Sequence, residues 1–210
     1  MRQAKSESKR AQKVRETRRR MLEAARELFI EHGYGATTLQ DVADRAGVAV
    51  QTIYFVFGNK RSLLKELVDV SVAGDDEPVA TIDRTWFRDA AAAQTAAAQL
   101  RAHAHGTRRI LDRAAPITEV LRSAAATDPE VADLWQQDVN PRFTVQAIAA
   151  KALVAKPGAR AELSAERAAD LLFGLLSPEL YLLFVRDRRW TPEQWEQWVY
   201  ETLRAQLCVG

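Results

Sequence analysis

The sequence predicts an all-α protein with two domains and about nine helices. Glycine contributes only 9 of the 210 residues, and no run alternates apolar and polar residues over the length of a strand. Apolar residues instead recur every three to four positions, which is the period of an amphipathic helix. The length allows one large core and a small additional domain. We expect a basic N-terminal arm at 1–13, four helices in a domain at 14–72, and five in a domain at 80–210.

Residues that begin or end a helix mark the four N-terminal helices. Gly33 is expected to end the first helix. Thr38 caps the second, with Asp41 three residues later, and Gly47 ends it. Gly58 follows the third helix. The predicted helices lie at about 14–32, 38–46, 50–57 and from 60 past 67.

Caps and prolines mark the C-terminal helices, which follow a linker at 73–78. Pro116 is expected to open a helix, and Pro141 is expected to kink one. Ser164 and Thr191 are expected N-caps, the second followed by a proline at the first helical position. The predicted helices lie at about 86–112, 116–125, 128–154, 164–186 and 191–207.

Positive charge is concentrated at the N-terminus. Residues 1–20 contain nine Lys or Arg against two Glu, a net charge of +7. Residues 1–70 carry +5, so the remainder carries −3 of the whole-chain charge of +2. A basic segment on a mildly acidic body indicates a polyanion partner for the N-terminal domain. The alternative is a solvated tail that keeps the protein soluble.

Other protein classes are disfavoured by what the sequence lacks. No apolar stretch of about 18 residues is apparent, and the N-terminus lacks the apolar segment of a signal peptide. The single cysteine, Cys208, fits a reducing cytoplasm and is expected to be an inert thiol near a frayed C-terminus. His103 and His105 are expected to be exposed rather than metal ligands. No phosphate-binding loop or nucleophile elbow is present, so we expect no cofactor and no enzymatic activity.

The predicted helix at 38–46 and the stretch AGVAVQTIYFVFGNK at 46–60 together indicate a helix-turn-helix. Ala43 is small where the two helices would cross, and Gly47 can adopt the left-handed conformation that the turn needs. A plain helical hairpin within a bundle is the alternative. The apolar residues at the inward offsets are Leu39, Val42, Ala46, Val48, Ile53 and Val56.

The outward side chains of the second helix of this motif are suited to contact DNA. Gln51 can pair bidentately with adenine, and Thr52 can contact a thymine methyl group. Tyr54 offers a hydroxyl to a phosphate, and Lys60 offers a charge and backbone N–H groups at a helix start. Basic residues before the first helix can follow phosphates or enter a minor groove. The expected DNA-binding residues are Thr38, Gln51, Thr52, Tyr54, Phe55, Lys60, Lys9, Arg10 and Lys13.

These residues resemble the DNA-binding domain of TetR-type (tetracycline-repressor-like) transcriptional regulators. The resemblance implies that the third helix enters the major groove, that the fourth leads to a ligand-binding body, and that the last two long helices form a dimer interface. Two departures from the family pattern are Ala49, where a capping Ser or Thr is common, and the uncharged pair Phe55 and Val56. The resemblance covers about residues 14–70 and is carried by Thr37-Thr38-Leu-Gln-Asp-Val-Ala, Ala46-Gly47-Val48, Thr52-Ile53-Tyr54, Phe57-Gly-Asn-Lys60 and Leu63-Leu64.

The C-terminal domain contains candidates for a ligand pocket and for a dimer interface. Helices splayed at prolines can open an apolar cavity, although ordinary core packing is the alternative for each aromatic residue. The candidate pocket residues are Trp86, Trp135, Arg142, Phe143, Phe173 and Tyr181. The last two helices carry more large apolar residues than one small body can cover, which predicts a homodimer. The candidate interface residues are Leu172, Leu176, Leu183, Trp195 and Trp198.

Together these features predict a cytoplasmic, homodimeric transcriptional regulator that binds a palindromic operator in double-stranded DNA. We expect a repressor that is released by an unidentified small apolar molecule and that has no membrane partner. The alternative is a helical protein-interaction module whose basic arm binds polyanions without sequence preference.

Overall fold

The structure is a computed structural model that describes residues 2–75, 77, 79–135 and 140–209, without the side chains of 2–10, 134 and 135. The described residues form eleven α-helices and no strand. The all-α fold class is therefore confirmed, with two helices more than expected. The helices are α1 (Arg2–Ala36), α2 (Leu39–Ala46), α3 (Val50–Phe57), α4 (Lys60–Ala73), α5 (Thr85–Ala92), α6 (Ala96–Ala125), α7 (Pro129–Trp135), α8 (Pro141–Val154), α9 (Ala165–Leu175), α10 (Pro178–Leu182) and α11 (Pro192–Leu207).

These helices are divided between two compact units. The first consists of Met1–Asp69 and Val120–Trp135, and the second of Val70–Glu119 and Gln136–Gly210. The end of α6 and all of α7 therefore group with the N-terminal residues. The sequence does not reveal this grouping, because an amphipathic pattern shows that a face is buried but not against which unit.

The N-terminal helices end where the sequence indicates. Gly33 interrupts α1 with a φ of 80°, and Gly47 closes α2 with a φ of 65°, both positive values that favour glycine. The Thr38 hydroxyl accepts from the Asp41 N–H at 3.1 Å, and the Asp41 carboxylate accepts from the Thr38 N–H at 2.8 Å. This pair completes the expected capping box. These ends place α3 one tight turn after α2.

Two prolines occupy positions that differ from the expected ones. Pro116 lies inside α6, so it does not open a helix. Pro141 is the first residue of α8, so the predicted kink inside one long helix was wrong. The Asn140 side chain caps α8 by accepting from the Arg142 N–H at 3.0 Å. A proline fits the first turn of a helix as well as a kink, and the preceding cap decides between them.

The second unit has a core formed by α5, α6, α8, α9, α10 and α11. Ser164 and Thr191 cap α9 and α11 as expected. Thr191 forms a capping box with Gln194, whose carboxamide oxygen accepts from the Thr191 N–H at 2.8 Å. The largest fully buried side chains of this core are Leu100, Leu153, Leu172, Leu176, Trp195 and Leu203.

One apolar segment of this core corrects an expectation from the sequence. The stretch Ala165–Asp187 is, by length and composition, apolar enough to cross a membrane. Within the structure it is divided into α9, α10 and a π-helical turn at Leu183–Asp187. Ser177 caps α10, and Leu172 and Tyr181 lie in the core of the second unit. These features are typical of a core segment in a folded unit.

Cys208 and Val209 are paired rather than frayed, which also corrects the expectation. Cys208 forms an isolated antiparallel bridge with Ala159. The Val209 N–H donates to the Gly158 carbonyl at 2.9 Å. Burial raises the pKa of the Cys208 thiol, so the thiol stays protonated and unreactive near neutral pH.

Candidate functional site

The helix α3 buries one side and exposes the other. Ile53 and Phe57 are buried, whereas Tyr54 is 55% exposed and Phe55 is 91% exposed. Gln51 is exposed as well. Residues three and four positions apart lie on the same face of a helix, so Gln51, Tyr54 and Phe55 form one surface, the outer face of α3. α3 contains no charged residue.

The first turn of α3 has no side-chain cap, as the sequence indicates. Ala49 precedes the helix and makes no capping hydrogen bond through its side chain. The Thr52 N–H donates to the Ala49 carbonyl at 2.8 Å, and the Thr52 side chain is half-buried. Thr52 is therefore less accessible than Gln51 to a molecule that approaches the outer face.

The Lys60 side chain is hydrogen-bonded within the N-terminal unit, and its predicted contact with a phosphate stays a prediction. Its Nζ donates to the Tyr34 carbonyl at 2.8 Å and to the Thr37 carbonyl at 2.9 Å. The same atom lies 4.2 Å from the centre of the Tyr34 ring. Burial lowers the Lys60 pKa. Because two of the three ammonium donors are used, Lys60 chiefly joins the start of α4 to the turn between α1 and α2.

We expect Lys60→Ala to lower the free energy of unfolding by about 1.5–3 kcal/mol, because charge-assisted hydrogen bonds to backbone carbonyls are lost. Urea unfolding followed by circular dichroism measures the change. Lys65→Ala is a matched control, since Lys65 is an exposed lysine of α4 that pairs with Asp69 at 2.6 Å. Its loss is expected to stay within about 0.5 kcal/mol. Equal losses in the two variants would contradict the structural role of Lys60.

The basic N-terminal segment is helical. α1 begins at Arg2, so the residues expected to form an arm belong to this helix. The Lys13 side chain is exposed, whereas the side chains of Lys9 and Arg10 lie outside the described residues. Basic side chains on a helix can contact phosphates, but a helix does not follow a minor groove as an extended arm does. Thr38 is exposed, and its hydroxyl donates to the Asp41 carboxylate at 2.7 Å.

Arg142, Phe143 and Phe173, three of the expected pocket residues, are in contact. Arg142 Nη1 donates to the Phe173 carbonyl at 2.6 Å, and its guanidinium carbon lies 3.5 Å from the centre of the Phe173 ring. The rings of Phe143 and Phe173 meet edge-on with centres 5.4 Å apart. Burial lowers the Arg142 pKa to about 10, so the side chain stays charged at neutral pH. A partly buried guanidinium of this kind can hold an anionic group.

The other expected pocket residues have different surroundings. Trp86 packs on α6 so closely that a side chain at Gly106 would collide with its ring. Tyr181 is buried and donates a hydrogen bond to Asp112, and burial raises its pKa. The Trp135 side chain lies outside the described residues. Trp86 and Tyr181 thus have partners other than Arg142, Phe143 and Phe173, and the pocket formed by all six residues stays a prediction.

A buried polar pair was missed by the sequence analysis. His103, expected to be exposed, is 2% exposed, and its Nε2 lies 2.8 Å from Gln146 Oε1. An amide oxygen only accepts, so Nε2 carries the proton, and burial lowers the imidazole pKa. A signal was present in the sequence. Gln99, His103 and Thr107 recur every four residues, and all three are buried on one side of α6.

We expect stability to decrease between pH 7 and pH 5 because His103 is buried in the neutral form. Its folded-state pKa lies below 6.5, so under pH 6.5 the unfolded chain binds a proton that the folded chain does not. The free energy of unfolding then falls by up to about 1.4 kcal/mol per pH unit. His103→Gln should reduce this slope. Urea unfolding of both proteins at pH 7, 6 and 5 measures it, and identical slopes would exclude His103 as the cause.

Three residues expected at a dimer interface are instead buried within the chain. Leu172, Leu176 and Trp195 are at most 1% exposed and belong to the core of the second unit. Helical spacing does not distinguish a helix face buried in the core of the same chain from one covered by a partner chain. For that reason the prediction placed these three residues at an interface. Leu183 is 47% exposed and Trp198 is half-buried, so these two stay candidates.

An aromatic cluster with an open groove surrounds Trp198. The ring centre of Phe184 lies 4.5 Å from that of Trp190 and 4.6 Å from that of Trp198. Partly exposed aromatic side chains beside a groove are typical of a protein-contact surface. The groove has a volume of about 480 Å³ and is lined by Trp190, Glu193, Gln194, Gln197, Trp198 and Glu201.

Comparison with known proteins finds sequence similarity in the N-terminal unit. Residues 21–67 match the tetR family of bacterial regulatory proteins. The chain is 41% identical over 58 residues, 28% of each protein, to the HTH-type transcriptional regulator TtgR of Pseudomonas putida. It is 38% identical over 58 residues to the HTH-type transcriptional repressor KstR2 of Mycobacterium tuberculosis, covering 28% of this chain and 29% of that protein. The match spans little more than a quarter of these relatives, and it confirms the resemblance to TetR-type regulators there.

Solved structures are similar over most of the chain. A TetR-family transcriptional regulator from Syntrophomonas wolfei aligns with a TM-score of 0.69 at 17% identity, over 92% of this chain and 95% of its own. The regulator FadR from Bacillus subtilis, in complex with stearoyl-CoA, aligns with a TM-score of 0.66 at 20% identity, over 89% and 97%. At these identities the likeness shows a shared fold, a helix-turn-helix unit followed by a helical body.

Proposed function

We propose that the chain is a cytoplasmic, sequence-specific DNA-binding transcriptional regulator, since residues 21–67 match the tetR family of bacterial regulatory proteins. The outer face of α3 carries this proposal. Gln51, Tyr54 and Phe55 project from a helix whose opposite side is buried. A helix exposed in this way at the end of a helix-turn-helix fits the major groove of DNA.

Contacts to bases and to phosphates are supplied by different parts of the N-terminal unit. Gln51 pairs with adenine, and Thr52 contributes from the edge of the outer face. The start of α3, which has no side-chain cap, and the basic side chains of α1, Lys13 among them, are proposed to contact phosphates. Phosphate contacts provide affinity without sequence preference, so specificity rests on the few uncharged side chains of α3.

The active form is proposed to be a homodimer on a palindromic operator. Leu183, Trp198 and the groove that Trp198 lines supply apolar surface for an isologous contact between two chains. Two copies of α3 would then lie about 34–36 Å apart, one turn of DNA. One copy of α3, with eight residues, contacts too few base pairs to specify a single site in a genome. This also favours two copies of α3 bound side by side on the DNA.

The second unit is proposed to bind a small effector that releases the repressor from DNA. The complex of FadR with stearoyl-CoA supports an effector with an apolar chain and an anionic group. In this chain, Phe143 and Phe173 offer apolar surface and Arg142 offers a partly buried charge. Binding would reduce DNA affinity by the effector's differential affinity for two states, and DNA would reduce effector affinity by the same factor.

Competition between duplexes and other polyanions tests the proposal against a non-specific polyanion-binding module. Fluorescence anisotropy would compare a selected duplex, a scrambled duplex and heparin at several salt concentrations. A specific regulator should prefer the selected duplex by at least about a thousandfold at physiological salt. Equal affinity for both duplexes at every salt concentration would instead support the polyanion-binding module.

A further inference from the structure

Phe55 is the most exposed of the large apolar side chains that the structure describes. It is 91% exposed, and the next is Val14 at 60%. A single exposed apolar residue is common on protein surfaces, so exposure alone indicates nothing. Its position is informative, because Phe55 lies on the outer face of α3 together with Gln51 and Tyr54. A phenyl ring in that position gains free energy only when a partner covers it.

We propose that Phe55 reads thymine by placing its ring against the 5-methyl group in the major groove. This inference rests on the proposed function, in which α3 enters that groove. Base pairs present hydrogen-bond donors and acceptors there, and the thymine methyl is their apolar group. A phenyl ring cannot form conventional hydrogen bonds with these donors and acceptors, so it favours thymine, whose methyl group offers an apolar contact.

The neighbouring residue Gln51 locates the thymine within the half-site. Gln51 and Phe55 are four residues apart, so they lie on the same face about 6 Å apart along the helix axis. Successive base pairs are separated by about 3.4 Å. A helix that follows the groove therefore places the Phe55 thymine about two base pairs from the adenine that Gln51 reads. The absence of charge on α3 is consistent with a centre of A·T pairs, since guanine is most often read by Arg or Lys.

Uracil substitution tests the contact directly, because deoxyuridine lacks only the 5-methyl group of thymidine. Each thymine of a duplex selected from random DNA is replaced in turn, and affinities are measured for the full chain and for Phe55→Ala. One position per half-site should weaken the parent protein about fourfold, the effect of removing one buried methyl group. Phe55→Ala should bind the thymine and uracil duplexes equally. Its fold should be unaffected at an exposed site, which thermal unfolding checks.

Gln51→Ala is the matched control, since it should lose affinity for the selected duplex yet keep the penalty for uracil. If no uracil position weakens the parent protein, or if Phe55→Ala keeps the full penalty, Phe55 does not read thymine and the proposed function still stands. If no duplex is preferred over random DNA, the proposed function fails and this inference fails with it. The two failures are therefore distinguishable.

Discussion

Gln51→Ala is expected to weaken binding to the preferred duplex by about 5- to 150-fold per half-site while leaving binding to unrelated duplexes unchanged. A bidentate contact between glutamine and adenine contributes about 1–3 kcal/mol of discrimination, and each 1.4 kcal/mol is a factor of ten. Gln51 is exposed on the outer face of α3, so the substitution removes no packing inside the protein. Non-specific affinity depends on phosphate contacts that the variant keeps.

Titration of both duplexes at several salt concentrations measures this effect. Thr52→Ala should have a smaller effect than Gln51→Ala, because the Thr52 side chain is half-buried at the edge of that face. Gln94→Ala changes an exposed glutamine of the second unit and should leave both affinities as they are. If Gln51→Ala binds the preferred duplex as tightly as the parent, α3 does not read bases through this residue.

Trp195→Ala should cost about 3–5 kcal/mol of folding free energy. Trp195 is fully buried in the core of the second unit, and its ring meets that of Tyr181 edge-on with centres 5.0 Å apart. The substitution therefore leaves a large cavity where a small side chain cannot fill the space. Trp198→Ala provides the contrast, because Trp198 is half-buried in the aromatic cluster beside the groove. It should destabilise the chain less and weaken self-association more.

Two measurements separate these effects. Urea unfolding at several protein concentrations gives the folding free energy and its dependence on assembly. Sedimentation velocity across the micromolar range gives the dimer dissociation constant. A Trp198→Ala protein that dimerises as tightly as the parent would remove this surface from the proposed interface. A Trp195→Ala protein as stable as the parent would contradict the placement of Trp195 in the core.

Local rules of helix geometry made much of the fold predictable. The ends of α1 and α2 follow from Gly33, Gly47 and the pairing of Thr38 with Asp41, all of which act within a few residues. The inward positions of α2 and α3 were also correct at Val42 and Ile53, since a helical period determines which side chains share a face. Such features depend only on residues a few positions apart in the chain, which the sequence shows directly.

Features that depend on contacts distant in sequence were not predictable. Lys60 donates to carbonyls more than twenty residues earlier, and His103 meets Gln146 on another helix. Trp195 and Trp198 occupy the same helix, and packing within the second unit buries Trp195 fully in the core and leaves Trp198 half-buried beside the groove. The sequence analysis assigned Lys60 to phosphate binding from its charge at a helix start, and a sequence does not show that its ammonium also stabilises the unit that presents α3.

Selection of bound duplexes from random DNA tests the central claim most directly, since it reports sequence preference, symmetry and half-site spacing in one experiment. The account predicts an enriched palindrome whose half-sites are centred one helical turn apart, each containing an adenine with a thymine about two base pairs away. Enrichment of no sequence, or of an asymmetric single site, would contradict a paired helix-turn-helix that reads DNA through α3.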